Sequence, residues 1–184
     1  NGQFNGVYKR FNEIGNIVVL ANYTDNEIDG DFLEYYDDGT LKTESKYIKG
    51  KPVSYSTFYP NKQIENKITY QDHKIITNEY FSLDGTLNEK ETYDSKENLI
   101  SVENYNETGH RYQAHFFKNG KYTHSEFQFA NSAAVKTKDK TSYQDFNALG
   151  NLIAEGSFEK SKPVGEWKYY DALGNLKSKT TFDN

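Results

Sequence analysis

The sequence predicts an all-β fold, an elongated antiparallel meander of repeated β-hairpins with about 14–15 strands. Three observations carry that expectation. The first is a repeat. The stretch Gly165–Phe182 recurs in imperfect copies every 23 to 24 residues or so: Trp167 is followed by Tyr170, Leu176 and Phe182. The same register fits Tyr8/Phe11/Ile17/Tyr23, Phe32/Tyr35/Leu41/Tyr47, Tyr55/Phe58/Ile64/Tyr70 and Tyr143/Phe146/Leu152/Phe158, and, with Asn78 in the first position, Phe81/Leu87/Tyr93. Self-similarity at a fixed period marks a protein built by stacking one supersecondary unit. The second is punctuation, with turn signals roughly every 12 residues. The third is alternation: in Leu41–Tyr47, Leu41, Thr43, Ser45 and Tyr47 share one face while Lys42, Glu44 and Lys46 share the other. That is the period of a strand with one wet face.

Taken in chain order, Glu13–Asn16 closes the first strand pair and Asp37–Thr40 the next. Lys49–Pro52, Pro60–Lys62, Asp84–Gly85, Glu107–Gly109, Asn119–Gly120, Leu149–Asn151 and Leu173–Asn175 continue the series. Asn-Gly and Asp-Gly tolerate the positive φ that tight hairpins require. Strands joined only by such turns are antiparallel neighbours. Residues 131–140, NSAAVKTKDK, match no copy of the repeat and read as an irregular loop. The expected organisation is therefore hairpins over 1–130, a loop over 131–140 and hairpins over 141–184, in one continuous array.

Composition narrows the function classes. Of the 184 residues 35% are apolar, with 16 tyrosines and 12 phenylalanines, which suits half-buried strands around a thin core. A net charge of −5, with lysines dispersed along alternating strand positions, speaks against binding a phosphate backbone or an anionic membrane surface. No apolar run is long enough for membrane insertion as a helix. The absence of cysteine removes disulfides, thiol nucleophiles and thiolate ligands. The absence of methionine suggests a processed product, so an extracytoplasmic location, periplasmic or surface-anchored, is favoured over a cytoplasmic one.

At Gly165-Glu166-Trp167, Gly30-Asp31-Phe32 and Gly6-Val7-Tyr8 the repeat opens with Gly-x-aromatic. Tyr169-Tyr170-Asp171-x-x-Gly174-x-Leu176 and a strand ending in an aromatic follow. This pattern resembles the bacterial variant of the MORN repeat, including the antitoxin-like YwqK family. The resemblance covers residues 6–93 and 143–182 well and the middle in part. It implies stacked hairpins and a protein partner, and it implies no catalytic residues, because arrays of this kind accompany scaffolds and enzymes without being the catalytic part.

Between Tyr93 and Phe117 the template shortens to its Leu-to-aromatic half, as Leu99/Tyr105 and Arg111/Phe117. Two positions inside it change character. They are Val19 and Ala21, Thr43 and Ser45, Ala154 and Gly156, Ser178 and Thr180 in the outer copies, but Glu89 and Glu91, Ser101 and Glu103, Gln113 and His115 in the middle. Symmetric pairing about the turns sets His115 opposite His124. It also sets Glu91, Ser101, His115 and His124 in one row, with Glu89, Glu103, Gln113 and Glu126 in the next. Three readings stay open: a solvated face, a polar ligand groove using Glu89, Glu91 and Glu103, or a metal site built on His115, His124 and Glu126. Trp167, Tyr169 and Tyr170 are a second ligand candidate, as a stacking surface, against repeat packing.

Asp25–Gly30 resembles the opening of a calcium loop but has Tyr36 where a bidentate glutamate belongs, so an ordinary acidic turn is expected. No phosphate loop or serine elbow occurs, and no cofactor is expected. The expected function is non-catalytic protein binding or scaffolding through an extended β surface, the alternative being a small-ligand or metal-binding surface on the central Glu/His face. End-to-end self-association through strands within 1–12 and 176–183 is a further expectation.

Overall fold

The computed structural model describes residues 2–130 and 132–183; Asn1, at the start of the expected terminal strand, Asn131, which opens the expected irregular segment, and Asn184 lie outside them. Among the described residues sixteen strands follow one another. They are β1 (Gly6–Phe11), β2 (Ile17–Thr24), β3 (Glu27–Tyr35), β4 (Leu41–Ile48), β5 (Lys51–Phe58), β6 (Ile64–Gln71), β7 (Lys74–Phe81) and β8 (Leu87–Tyr93), then β9 (Leu99–Tyr105), β10 (Arg111–Lys118), β11 (Lys121–Gln128), β12 (Ser132–Thr137), β13 (Thr141–Phe146), β14 (Leu152–Glu159), β15 (Lys162–Tyr170) and β16 (Leu176–Phe182). Their order in the sheet is their order in the chain, as the short turns require. The fold is all-β. The chain divides into two compact units, Asn1–Leu99 with Glu107–Gly109, and Ile100–Asn106 with His110–Asn184.

In the first unit, pairing sets Tyr8, Ala21, Phe32, Ser45, Tyr55 and Ile68 in one row across β1 to β6. Rings alternate with small side chains from Tyr8 to Tyr55. Consequently the small residues are the buried ones: Ala21 is 0% exposed and Ser45 1%, with Val19 and Thr43 buried beside them. The thin core is thus made by rings leaning over small neighbours, as Phe32 does edge-on toward Tyr47 at 6.4 Å. The opening glycine of the repeat has a specific task. At Gly30 the β2–β3 register shifts, φ is +108°, and the Asn22 side chain stands against the backbone. A bulge of this kind needs a residue that accepts positive φ. Successive five-residue turns are then tied by tyrosine hydroxyls one repeat apart. Tyr36 Oη donates to the Phe58 carbonyl (2.8 Å) and Tyr59 Oη to that of Phe81 (2.9 Å).

The second unit repeats the scheme and corrects one expectation. Residues 132–137, expected as part of an irregular loop, form β12, paired to β11 and β13 along its length. The reason is visible in the row Phe127, Ala134, Tyr143, Gly156, where Ala134 fills the small position between two rings. The strand lacks the Leu-to-aromatic markers and so matches no copy of the repeat, yet its small residues are what two aromatic neighbours admit. It brings the strands among the described residues to sixteen, against the expected 14–15.

Candidate functional site

The acidic positions of the middle fall into separate local networks. In the first unit, Glu91 lies opposite Asn78 and Glu89 opposite Tyr80. Glu91 Oε2 accepts from Tyr93 Oη (2.8 Å) and from Asn78 Nδ2 (2.9 Å). Asn78 Nδ2 also donates to Tyr80 Oη (2.6 Å), and Asn66 Nδ2 donates to Asn78 Oδ1 (2.6 Å). Partial burial, and secondarily the hydrogen bond to Glu91, push the Tyr93 phenol up to about 12. The network closes upon itself across three strands, an amide and a phenol answering one carboxylate.

In the second unit the expected histidine row does not form. His115 lies opposite Ser125 on β11 and Val102 on β9, while His124 lies opposite Phe116. Two bulges cause this: Thr123 is the extra residue between the Phe116 and Phe117 pairings, and Tyr112 is extra against β9. A one-residue slip moves a side chain to the other face. The two histidines therefore occupy opposite faces, and the set His115, His124 and Glu126 does not assemble. Among the described residues no group of three or more His, Cys, Asp or Glu is placed to hold a metal ion.

His115 instead sits in a hydrogen-bonded chain. Gln113 Nε2 lies 2.7 Å from His115 Nε2, His115 Nδ1 lies 2.6 Å from Ser125 Oγ, and Ser125 Oγ lies 2.9 Å from Tyr122 Oη. Tyr122 Oη donates to the Lys136 carbonyl at 3.0 Å. One assignment of protons satisfies every member: the Gln113 amide donates to Nε2, Nδ1–H donates to Ser125, and Ser125 donates to Tyr122. In that assignment the Ser125 proton points away from the imidazole, and Ser125 is only 3% exposed. A nucleophile and base need the reverse on both counts.

On the other face His124 stacks on Phe116, centroids 4.6 Å apart and planes within 10°. Its Nε2 is 3.9 Å from Glu126 Oε1, and Arg111 Nη2 donates to Glu126 Oε2 at 2.9 Å. Glu103 and Glu126 flank the fully buried Ala114 in one row, and Tyr105 Oη donates to Glu103 Oε2 at 2.7 Å. The Asp25–Gly30 segment is an ordinary turn: Asp25 and Asn26 take positive φ, and the Asp29 carboxylate accepts from the Lys49 amide at 3.2 Å.

Trp167 is buried, 7% exposed, against Gly156. It is ringed by Tyr143, Phe158, Tyr169 and Phe182, and its indole N–H donates to the Ser157 carbonyl. It offers no free stacking face. Tyr170 points to the opposite side, where its hydroxyl and Lys168 Nζ both donate to Glu155 Oε1, at 2.7 and 3.1 Å. These two bonds, the tyrosine's foremost, hold the Glu155 carboxyl below its usual range. A groove of about 310 Å³ runs along this side, walled by Gln144, Glu155, Glu166 and Lys168 and floored by Ala133 and Val135.

Two features escaped the sequence reading. Leu149 and Leu173, at the tips of consecutive turns on one margin of the second unit, are 84% and 78% exposed. Seven lysines of the second unit, read as dispersed, gather at the opposite margin, in the β10–β11, β12–β13 and β14–β15 turns. Only the strand order shows that these turns are neighbours.

No curated protein matches the chain. Among solved structures it is similar to one chain of the crystal structure of TcdB2-TccC3-Cdc42, with 12% identity, a TM-score of 0.21, and coverage of 94% of this chain and 13% of that one. Three segments, residues 28–49, 53–72 and 163–184, match the MORN repeat variant, and each frames one hairpin around a five-residue turn.

Proposed function

We propose that the protein is a non-catalytic repeat module that binds another protein. The observation that carries this reading is the pair of exposed leucines, Leu149 and Leu173. Their turns are locked together: Asn147 Nδ2 and Asn151 Nδ2 both donate to the Ala172 carbonyl, at 2.9 and 3.0 Å. Two large apolar side chains held out in water on neighbouring turns of a preformed support offer a partner an apolar contact at low ordering cost. Repeat architecture supports the reading, since stacked hairpins supply a wide face rather than a deep cavity. The antitoxin-like label of similar repeat families fits it too, since such pairing is a protein–protein contact.

The test is crosslinking and capture from extract of the native source, comparing the parent chain with Leu149→Ser/Leu173→Ser. Both substitutions are at exposed turn tips, and circular dichroism checks that the fold is kept. A specific partner recovered by the parent and reduced at least tenfold by the double variant is expected. Recovery of no partner, or undiminished recovery by the variant, overturns the reading.

A further inference from the structure

The chain carries a net charge of −5, yet one margin of its second unit is strongly basic. Lys118 and Lys121 flank the β10–β11 turn, Lys136, Lys138 and Lys140 the β12–β13 turn, and Lys160 and Lys162 the β14–β15 turn. All seven are exposed. The ion pairs found among the described residues involve none of them. In an antiparallel meander every second turn falls on the same margin, so these three are consecutive there, about 9.6 Å apart at two strand spacings. Only Asp139 and Glu159 interrupt the positive charge. Like charges so placed repel one another in the free protein, a cost that an anionic partner removes.

Resting on the protein-binding reading above, we propose that this lysine margin docks an extended acidic segment of the protein partner. The cations are strung along a line rather than converged on a point, which fits an elongated ligand better than a single phosphate. In the β12–β13 turn two backbone amides are also engaged already. Thr137 N–H donates to the Lys140 carbonyl and Lys140 N–H to Thr137 Oγ1, so they form no anion nest. In an extended polyproline II chain every third residue returns to the same face and advances about 9.3 Å, which matches the interval between these turns. Between the second and third turns lies a cleft of about 460 Å³ whose lining includes Lys136, Lys138, Lys140, Lys160, Thr141 and Phe158, with Asp139 its one carboxylate. Lys136, Thr141 and Phe158 form one row there. An ammonium, a hydroxyl and a ring side by side suit a peptide that sets apolar groups between carboxylates three residues apart. Asp139 and Glu159, set among the lysines, disfavour a densely charged phosphate backbone.

The test uses the full chain and a fluorescent peptide of about twelve residues carrying glutamate at every third position, with a glutamine counterpart as control. The glutamate peptide is expected to bind, to weaken as salt is raised, and to weaken at least tenfold in Lys136→Glu/Lys138→Glu/Lys160→Glu. Reversal of Lys46, Lys51 and Lys67, on the first unit, should change nothing. Circular dichroism checks folding, and the corresponding Lys→Gln triple variant supplies the same comparison with a smaller loss if the reversed chain is unstable. Equal binding of the two peptides, or of parent and reversed chain, overturns the proposal. So does lysine-dependent binding of oligothymidylate or of phosphatidylserine vesicles in place of the peptide. Failure here with the leucine-dependent capture intact removes the lysine margin alone; loss of that capture removes the binding reading itself.

Discussion

Trp167 lies flat against the backbone of Gly156, so close that a methyl group at position 156 would overlap Cδ2 and Cε2 of the indole. Because Gly156 sits in the small-residue row between Tyr143 and Trp167, the indole is held by backbone below and by rings on its sides. Gly156→Ala must push the indole away or bend two strands. Overpacking of this kind costs about 1–3 kcal/mol. Urea unfolding should show that loss, with a shifted tryptophan emission spectrum, and an alanine variant of parental stability would refute the packing argument.

Ser45 presents the opposite case. It occupies the small position between Phe32 and Tyr55, is 1% exposed, and its hydroxyl has no hydrogen-bond partner among the described residues. Burying a hydroxyl without a partner costs on the order of 1–3 kcal/mol, and alanine keeps the small volume the rings demand. Ser45→Ala should therefore stabilise the chain by about 1 kcal/mol in denaturant titration. Destabilisation would mean that the hydroxyl is satisfied, by water for instance.

The repeat was legible because ring, turn and small residue each leave a mark at a fixed spacing. Trp167, Tyr143 and Phe32 could be placed in rows from counting alone. Counting failed where the backbone inserts a residue. Thr123 and Tyr112 carry no signal that distinguishes a bulge from a regular strand position; the first separates His115 from His124, and the second sets His115 opposite Val102 instead of Ser101. β12 was missed for a different reason: small residues between two aromatic strands are sufficient for pairing, but they resemble a loop when read alone. The basic margin was invisible because Lys118, Lys138 and Lys160 are far apart in sequence and adjacent only once the turns are stacked.

The aspartates within the five-residue turns make a pH prediction. Asp171 Oδ1 accepts from the amides of Leu173 and Asn175, both at 2.9 Å, and these bonds, with that of Asn175 foremost, hold the carboxyl below its usual range. Asp84 and Asp94 are held down in the same way, by Thr86 and Asn98. A depressed folded-state pKa adds stability that is present above the unfolded value, near 3.9, and is lost as pH falls through the lower folded value. Asp171→Asn keeps an acceptor oxygen but does not titrate. Its stability should fall less steeply than the parent's below about pH 4. Parallel acid-unfolding curves would show that the turn carboxylate is uncoupled from folding.

At the alkaline end the Tyr93–Glu91 pair makes the corresponding prediction with the sign reversed. Tyr93 titrates at about 12, because burial disfavours the phenolate and because its proton is donated to Glu91. A raised folded-state pKa means that the stabilisation is complete below the unfolded tyrosine value, near 10, and disappears as pH rises through the folded value. The window is thus bounded by about 10 and about 12. Tyr93→Phe removes the hydroxyl and leaves Glu91 with only the Asn78 donor on Oε2. The variant should be less stable than the parent at neutral pH, by about 1 kcal/mol for a half-exposed hydrogen bond. The difference should narrow steadily across the alkaline window. The difference spectrum of phenolate absorbance between parent and variant should show one tyrosine titrating near the upper bound. A missing tyrosine that titrates near 10 instead would mean that the Glu91 contact is broken in solution, and with it the closed polar network that distinguishes β8 from the regular strands.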